Sequence, residues 1–212
     1  MSRFLIIGTA LLASNVAAHS YLKTFTLDGV DYEGFSRWNP SPTLMPLDGV
    51  SVPRMRVLRW TSRALTFWQH CFFFWTSDDK EINLNGWAES HRGPVITYIA
   101  PCNGDCASID KTQLKWTKIA EEGLVSGPAH TEGVWATDKL RENGGVNSAT
   151  IPSSIAPGKY VIRNELIALH RAHLSEPEFY MQCGNIEVTG SGTDNLSGSG
   201  DVASQLYSTS DE

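Results

Sequence analysis

Apolar residues along the chain come in short runs broken by Gly, Pro, Asn and Asp. No segment sustains a helical period of apolar positions, and many runs are β-branched or aromatic. The pattern predicts a strand, a turn at Asp28-Gly29 and a second short strand within 19–35, then a surface loop over 36–52. Further strands are expected over Val95–Ala100, over 112–120 with Trp116 and Ile119, over Lys159–His170 and over Glu178–Val188. GVWATDKLRENGG (133–145) reads as a strand followed by a loop and a turn. In the last strand, alternation places Glu178, Tyr180 and Gln182 on one face and Phe179, Met181 and Cys183 on the other, with the second set expected to face the core. Short strands at this spacing predict an all-β fold, a β-sandwich.

The first 18 residues depart from this pattern. Arg3 precedes an apolar run from Phe4 to Ala13, and the small residues Val16 and Ala18 stand three and one residues before a cleavage point. This reads as a secretory signal peptide, too short in its apolar part to span a bilayer. The expected mature chain is soluble, secreted and extracellular, and it begins at His19, whose free amine and ring Nδ1 could chelate one metal ion.

Composition narrows the classes. A chain of 212 residues suits one domain, or one domain and a tail. With 19% charged residues it is not a highly charged disordered protein, and a net charge of −6 argues against nucleic-acid binding. The four cysteines allow three pairings. Cys102 and Cys106 flank a short Asn-Gly-Asp turn that can close on itself, which leaves Cys71–Cys183 as a long-range bridge. A zinc site is the competing reading, disfavoured in an oxidising compartment and without a CxxC pair. Residues 191–212 are rich in Gly and Ser and read as a flexible tail, or a truncated part of the domain; Asn195-Leu-Ser is a glycosylation sequon. The stretch 53–86 stands apart. Arg54, Arg56, Arg59 and Arg63 precede a dense patch of Phe67, Trp68, Phe72, Phe73, Phe74 and Trp75. Its neighbours lend no support to reading it as a binding surface or as a membrane-active helix.

Candidate chemistry gathers around histidines. His91 stands before Gly93-Pro94, which fixes a turn into the next strand. His170 ends the run Ile167-Ala168-Leu169, and Glu178 and Tyr180 share one face of the last strand. Either histidine could instead be an ordinary loop or hydrogen-bonded residue.

Taken with a His at the cleavage point, the motifs SHRGPVITYIAPCNGDC, KIAEEGL, IPSSIAPGKYVIRNELIALH and EFYMQCGNIEVTGSG resemble the fungal lytic polysaccharide monooxygenases of auxiliary activity family nine, once classed among the glycoside hydrolases. The resemblance covers roughly 19–50 and 88–207. It implies an immunoglobulin- or fibronectin-like β-sandwich with long loops. It also implies one copper ion held in a histidine brace, by the amine and Nδ1 of His19 and by Nε2 of His91. Tyr180 matches the axial tyrosine and His170 the histidine that hydrogen-bonds activated oxygen. Glu178 stands where the family has Gln, and Asn164 where it has His, the latter with a structural consequence only. Tyr207 lies near a substrate-facing tyrosine of the family, and Tyr21 is a weaker candidate for the same face. The implied activity is oxidative cleavage of a β-1,4-glucan such as cellulose at C1 or C4. It would use an external electron donor and oxygen or hydrogen peroxide, in a monomer with no nucleic-acid or membrane partner.

The resemblance stops over 53–86. Residues 77–86 read as retained intron-derived sequence, with part of 53–74 misread; an uninterrupted transcript encoding all ten residues would sink that reading. Two alternatives accompany the oxidative enzyme. One is a secreted copper- or carbohydrate-binding protein of the same fold without turnover. The other is a hydrolytic glycosidase, for which Glu165 and Glu178 are available but not visibly paired across a cleft.

Overall fold

The computed structural model describes residues 20–27, 29–33, 70–77, 86–129 and 132–207. The first sheet contains β1 (Ser20–Leu27), β2 (Val30–Glu33) and β3 (His70–Ser77). They are followed by β4 (Val95–Pro101), β5 (Lys115–Glu122), and a small pair, β6 (Leu124–Ser126) and β7 (Val134–Trp135). A short helix, α1 (Ala136–Glu142), leads into β8 (Val146–Thr150). The long strands β9 (Gly158–Ala168) and β10 (Glu178–Val188) form a hairpin, and β11 (Asp201–Val202) closes the edge. One sheet has the order β2-β1-β3-β8 and the other β10-β9-β4-β5-β11, every named pair antiparallel. The fold is the expected β-sandwich.

Alternation along each strand sets the layers. Leu22, Phe25, Leu27, Phe73 and Trp75 from the first sheet meet Ile99, Ile162, Leu166, Ala168, Ile186 and Val188 from the second. The opposite face of the second sheet is also covered. Ile96, Tyr98, Val161 and Ile167 pack there under Leu114, Trp116 and the Cys102–Cys106 loop. With both faces covered, β9 is buried without alternation from Tyr160 to Ala168, the polar Arg163, Asn164 and Glu165 included.

Several expectations are corrected. Residues 136–142 form a helix, not a loop. Two turns are too short to print a period, and the local signal is Asp138, which accepts from the Trp135 backbone N–H at 2.8 Å. His70–Ser77, for which the sequence predicted no element, is a strand between β1 and β8, with Phe73 and Trp75 buried. The described part of the C-terminal segment is not a free tail. Asp194 bridges to Ile155, Leu196 is buried, and β11 pairs with β5.

The bridge between Cys102 and Cys106 forms, but the Cys71–Cys183 bridge does not. Cys71 packs between the sheets, whereas Cys183 points to the outer cluster. The reason is the facing of β10, which is the reverse of that expected. Gln182, Ile186 and Val188 face the sandwich interior, and Phe179 and Cys183 face outward under their own cover.

Asn164 ties the sheets together. Its Oδ1 accepts from Trp75 Nε1 on the facing sheet at 2.9 Å, and its Nδ2 donates to Thr97 Oγ1 at 3.0 Å. The side chain is fully buried. Asn164→Ala strands the indole N–H in an apolar layer, so a loss of about 1–3 kcal/mol is expected. A urea titration reads it; a variant with an unchanged midpoint would show that the indole finds another acceptor.

Candidate metal centre

The site forms where three segments meet at one end of the sandwich. The loop 86–94 runs into β4, β9 ends at Ala168, and β10 begins at Glu178. Ladder-like hydrogen bonds continue past the strands: Ile167 N–H donates to Pro94 O at 3.1 Å and Leu169 N–H to Arg92 O at 2.9 Å. They dock the His91 loop directly onto the end of β9. Gly93 makes the approach possible, since a Cβ there would stand 1.9 Å from Ile167 O. Thr137 locks the same residue, accepting from Gly93 N–H at 2.8 Å while its own N–H donates to Gly93 O at 3.2 Å.

His91 is buried, and its ring stacks on that of His170 with centroids 4.3 Å apart. Ser90 Oγ lies 2.9 Å from His91 Nδ1. That contact leaves Nε2 facing the half-exposed Glu178 carboxylate, whose Oε2 is 3.6 Å away. Glu178 Oε1 lies 3.5 Å from His170 Nε2. Tyr180 donates its hydroxyl to Glu178 Oε2 at 2.6 Å. Burial, followed by the proximity of His170, lowers the pKa of His91 below its ordinary value, and Glu178 opposes this only in part. The lowering favours the neutral imidazole, the form a metal needs. Burial first, then the bond to Glu178, pushes the Tyr180 phenol above its ordinary range. Tyr180 is thus a neutral hydroxyl donor.

His91, His170, Glu178 and Tyr180 come together as the sequence suggested. His19 lies outside the described residues, and so does the side chain of Tyr21. Tyr207 is placed otherwise than expected. Its ring packs on Phe179 at 4.9 Å and its hydroxyl meets that of Tyr98 at 2.9 Å. It serves the covered outer face of the second sheet rather than an open binding surface. Asn195 is exposed, and its side chain accepts from Ser197 N–H at 2.9 Å.

Two positioning residues were missed. Trp87 donates Nε1–H to His91 O at 2.7 Å and sets its ring edge-on to Tyr180 at 4.8 Å. Its place four residues before His91 was the available signal. Thr137 gave none, because it sits in the unrecognised helix.

A β-sandwich that gathers two imidazoles, a carboxylate and a phenol at one end defines a metalloprotein-like site on an all-β scaffold. Residues 19–212 match the model of Auxiliary Activity family 9 (formerly GH61), and the chain belongs to that family. It is 38% identical over 209 residues to AA9 family lytic polysaccharide monooxygenase F of Malbranchea cinnamomea, covering 94% of this chain and 85% of that protein. It is 50% identical over 132 residues to AA9 family lytic polysaccharide monooxygenase B of Aspergillus fumigatus, a match spanning 62% of this chain and 52% of that protein's length. The fold matches the extended catalytic domain of H. jecorina LPMO9A with a TM-score of 0.75 and 30% identity, over 92% of this chain and 82% of that one.

Proposed function

We propose that the protein is a secreted, copper-dependent lytic polysaccharide monooxygenase that cleaves β-1,4-glucans such as cellulose oxidatively at C1, C4 or both. The observation that carries this reading is the geometry of His91, whose Nδ1 meets Ser90 and whose Nε2 faces Glu178 beside the rings of His170 and Tyr180. Neutral imidazole nitrogen suits copper. The family match begins at His19, the residue expected at the mature N-terminus, and β1 starts immediately after it. His19, through its amine and Nδ1, and His91, through Nε2, would hold the ion, with the Tyr180 phenol beside them. No helix among the described residues is long and apolar enough to cross a membrane. Asn195 is available for glycosylation in the secretory route.

Copper in this site would supply one-electron redox chemistry toward oxygen or hydrogen peroxide, with an external donor as reductant. The surrounding residues have separate tasks. Ser90 and the Trp87 bond to the His91 carbonyl fix the ring's orientation. His170 stands within stacking distance and can pass a proton to or from a reacting oxygen. Glu178 accepts the Tyr180 hydroxyl and holds that phenol beside His91. A carboxylate accepts but does not donate where the family has an amide. This favours a second reading, a copper- or carbohydrate-binding protein without turnover.

Purified protein beginning at His19, loaded with copper and given ascorbate and cellulose, is expected to release oxidised oligosaccharides detectable by mass spectrometry. Copper binding without products would favour the binding protein. Products that are never oxidised would point to hydrolysis.

A further inference from the structure

We propose that Glu178 is itself a metal ligand, and that His91, His170 and Glu178 form a two-histidine, one-carboxylate site for a divalent transition-metal ion that does not require the chain's N-terminus. The three side chains each offer a ligand atom, all within 4.8 Å of one another. The carboxylate oxygens stand 3.6 Å from His91 Nε2 and 3.5 Å from His170 Nε2. Zinc–nitrogen bonds of about 2.0–2.1 Å put tetrahedral ligand atoms roughly 3.4 Å apart, close to these spacings. Both contacts are too long for hydrogen bonds of ordinary strength. Metal–ligand bonds of that length reach ligand atoms at most about 4.1 Å apart, so a span of up to 4.8 Å closes onto one ion with a small side-chain movement.

The surroundings suit the role. Ser90 engages the far nitrogen of His91, and a partner on the non-ligating nitrogen is what fixes a ligand ring. Tyr180 holds Glu178 Oε2 by a charge-assisted bond, which restrains the carboxylate's rotation. His170 Nδ1 is buried with no hydrogen-bond partner among the described residues, so its ring is oriented by stacking on His91 rather than by a partner on its far nitrogen. Two imidazoles and a carboxylate bind zinc, cobalt(II) and iron(II) as well as copper. Because His91 is shared, this mode and the brace compete for one ring.

The test uses the full mature chain carrying His19→Ala, which removes one brace ring, and zinc as the probe because it has no redox chemistry. Calorimetry is expected to show one zinc bound per chain. Adding Glu178→Gln should weaken binding by more than about 100-fold, beyond the 10–100-fold typical of residues that merely support a ligand. His170→Ala should do the same. Cobalt(II) should give tetrahedral visible absorption that Glu178→Gln removes. Thermal melts confirm that each variant is folded, and Gln preserves the shape of Glu. Absence of zinc binding in His19→Ala, or equal affinity with Gln at 178, overturns the proposal. The outcome is separable from the oxidative reading: oxidised products without zinc binding in His19→Ala sink only this site, and zinc binding without products from the native chain sinks only the other.

Discussion

Replacing His91 by Ala is expected to abolish high-affinity copper binding and, with it, any release of oxidised sugars. Changes to residues that only support a ligand cost about 10–100-fold in metal affinity. Loss of His91 removes a donor common to both metal modes, so more than about 100-fold is expected in each. The variant should stay folded. Trp87 grips the backbone carbonyl of residue 91, not its ring, and the loop is stitched to β9 through Arg92 and Pro94. A copper titration followed by fluorescence, beside a melting curve, separates lost chemistry from lost structure. Near-native copper affinity in a folded His91→Ala protein would remove the site from consideration.

Arg163→Met should produce the largest loss of stability. Arg163 and Glu165 pair at 2.9 Å on the outer face of β9, with side chains 3% and 0% exposed. The guanidinium lies over the rings of Tyr98 and Trp116, at 4.5 and 4.7 Å from their centroids. Breaking a buried pair by removing one member costs about 3–5 kcal/mol, because the survivor keeps an uncompensated charge. In a domain of this size that lowers Tm by roughly 6–20 °C. The pH dependence follows from Glu165. Burial raises its pKa above the ordinary carboxylate value, and Arg163, followed by the Tyr207 hydroxyl, opposes the rise. Without Arg163 the folded value climbs further. A carboxyl raised in the folded state loses stability as pH climbs from the unfolded carboxylate range through the folded value. The deficit of Arg163→Met should therefore be larger at pH 8 than at pH 5, and Glu165→Gln in the same chain should recover part of it. Denaturant titrations at both values check this; equal deficits would mean that Glu165 is not left charged.

Much of the fold was legible because its strands bury apolar residues at close spacing. β4 and β10 stand almost where the pattern put them, and the Glu178–Val188 limits agree. The facing of β10 was not legible. Both faces of its sheet are covered, so an apolar residue such as Phe179 gains burial either way and polarity no longer marks the outside. That ambiguity also produced the wrong cysteine pairing. α1 was hidden by its length, and β3 by the foreign look of its neighbourhood. At the site, His91, His170, Glu178 and Tyr180 were visible as residue types at strand ends. Trp87 and Thr137 act by holding the backbone of the His91 loop, a task that leaves little trace in residue type.

The continuation of the β9 ladder into the His91 loop has a thermodynamic corollary. The separation of the two imidazoles is settled while the sandwich assembles, before any ion arrives. Little chain freedom remains to be frozen when one binds. The contribution of these two rings to an affinity should accordingly reflect the donor atoms themselves, with only a small penalty for organising the peptide that carries them.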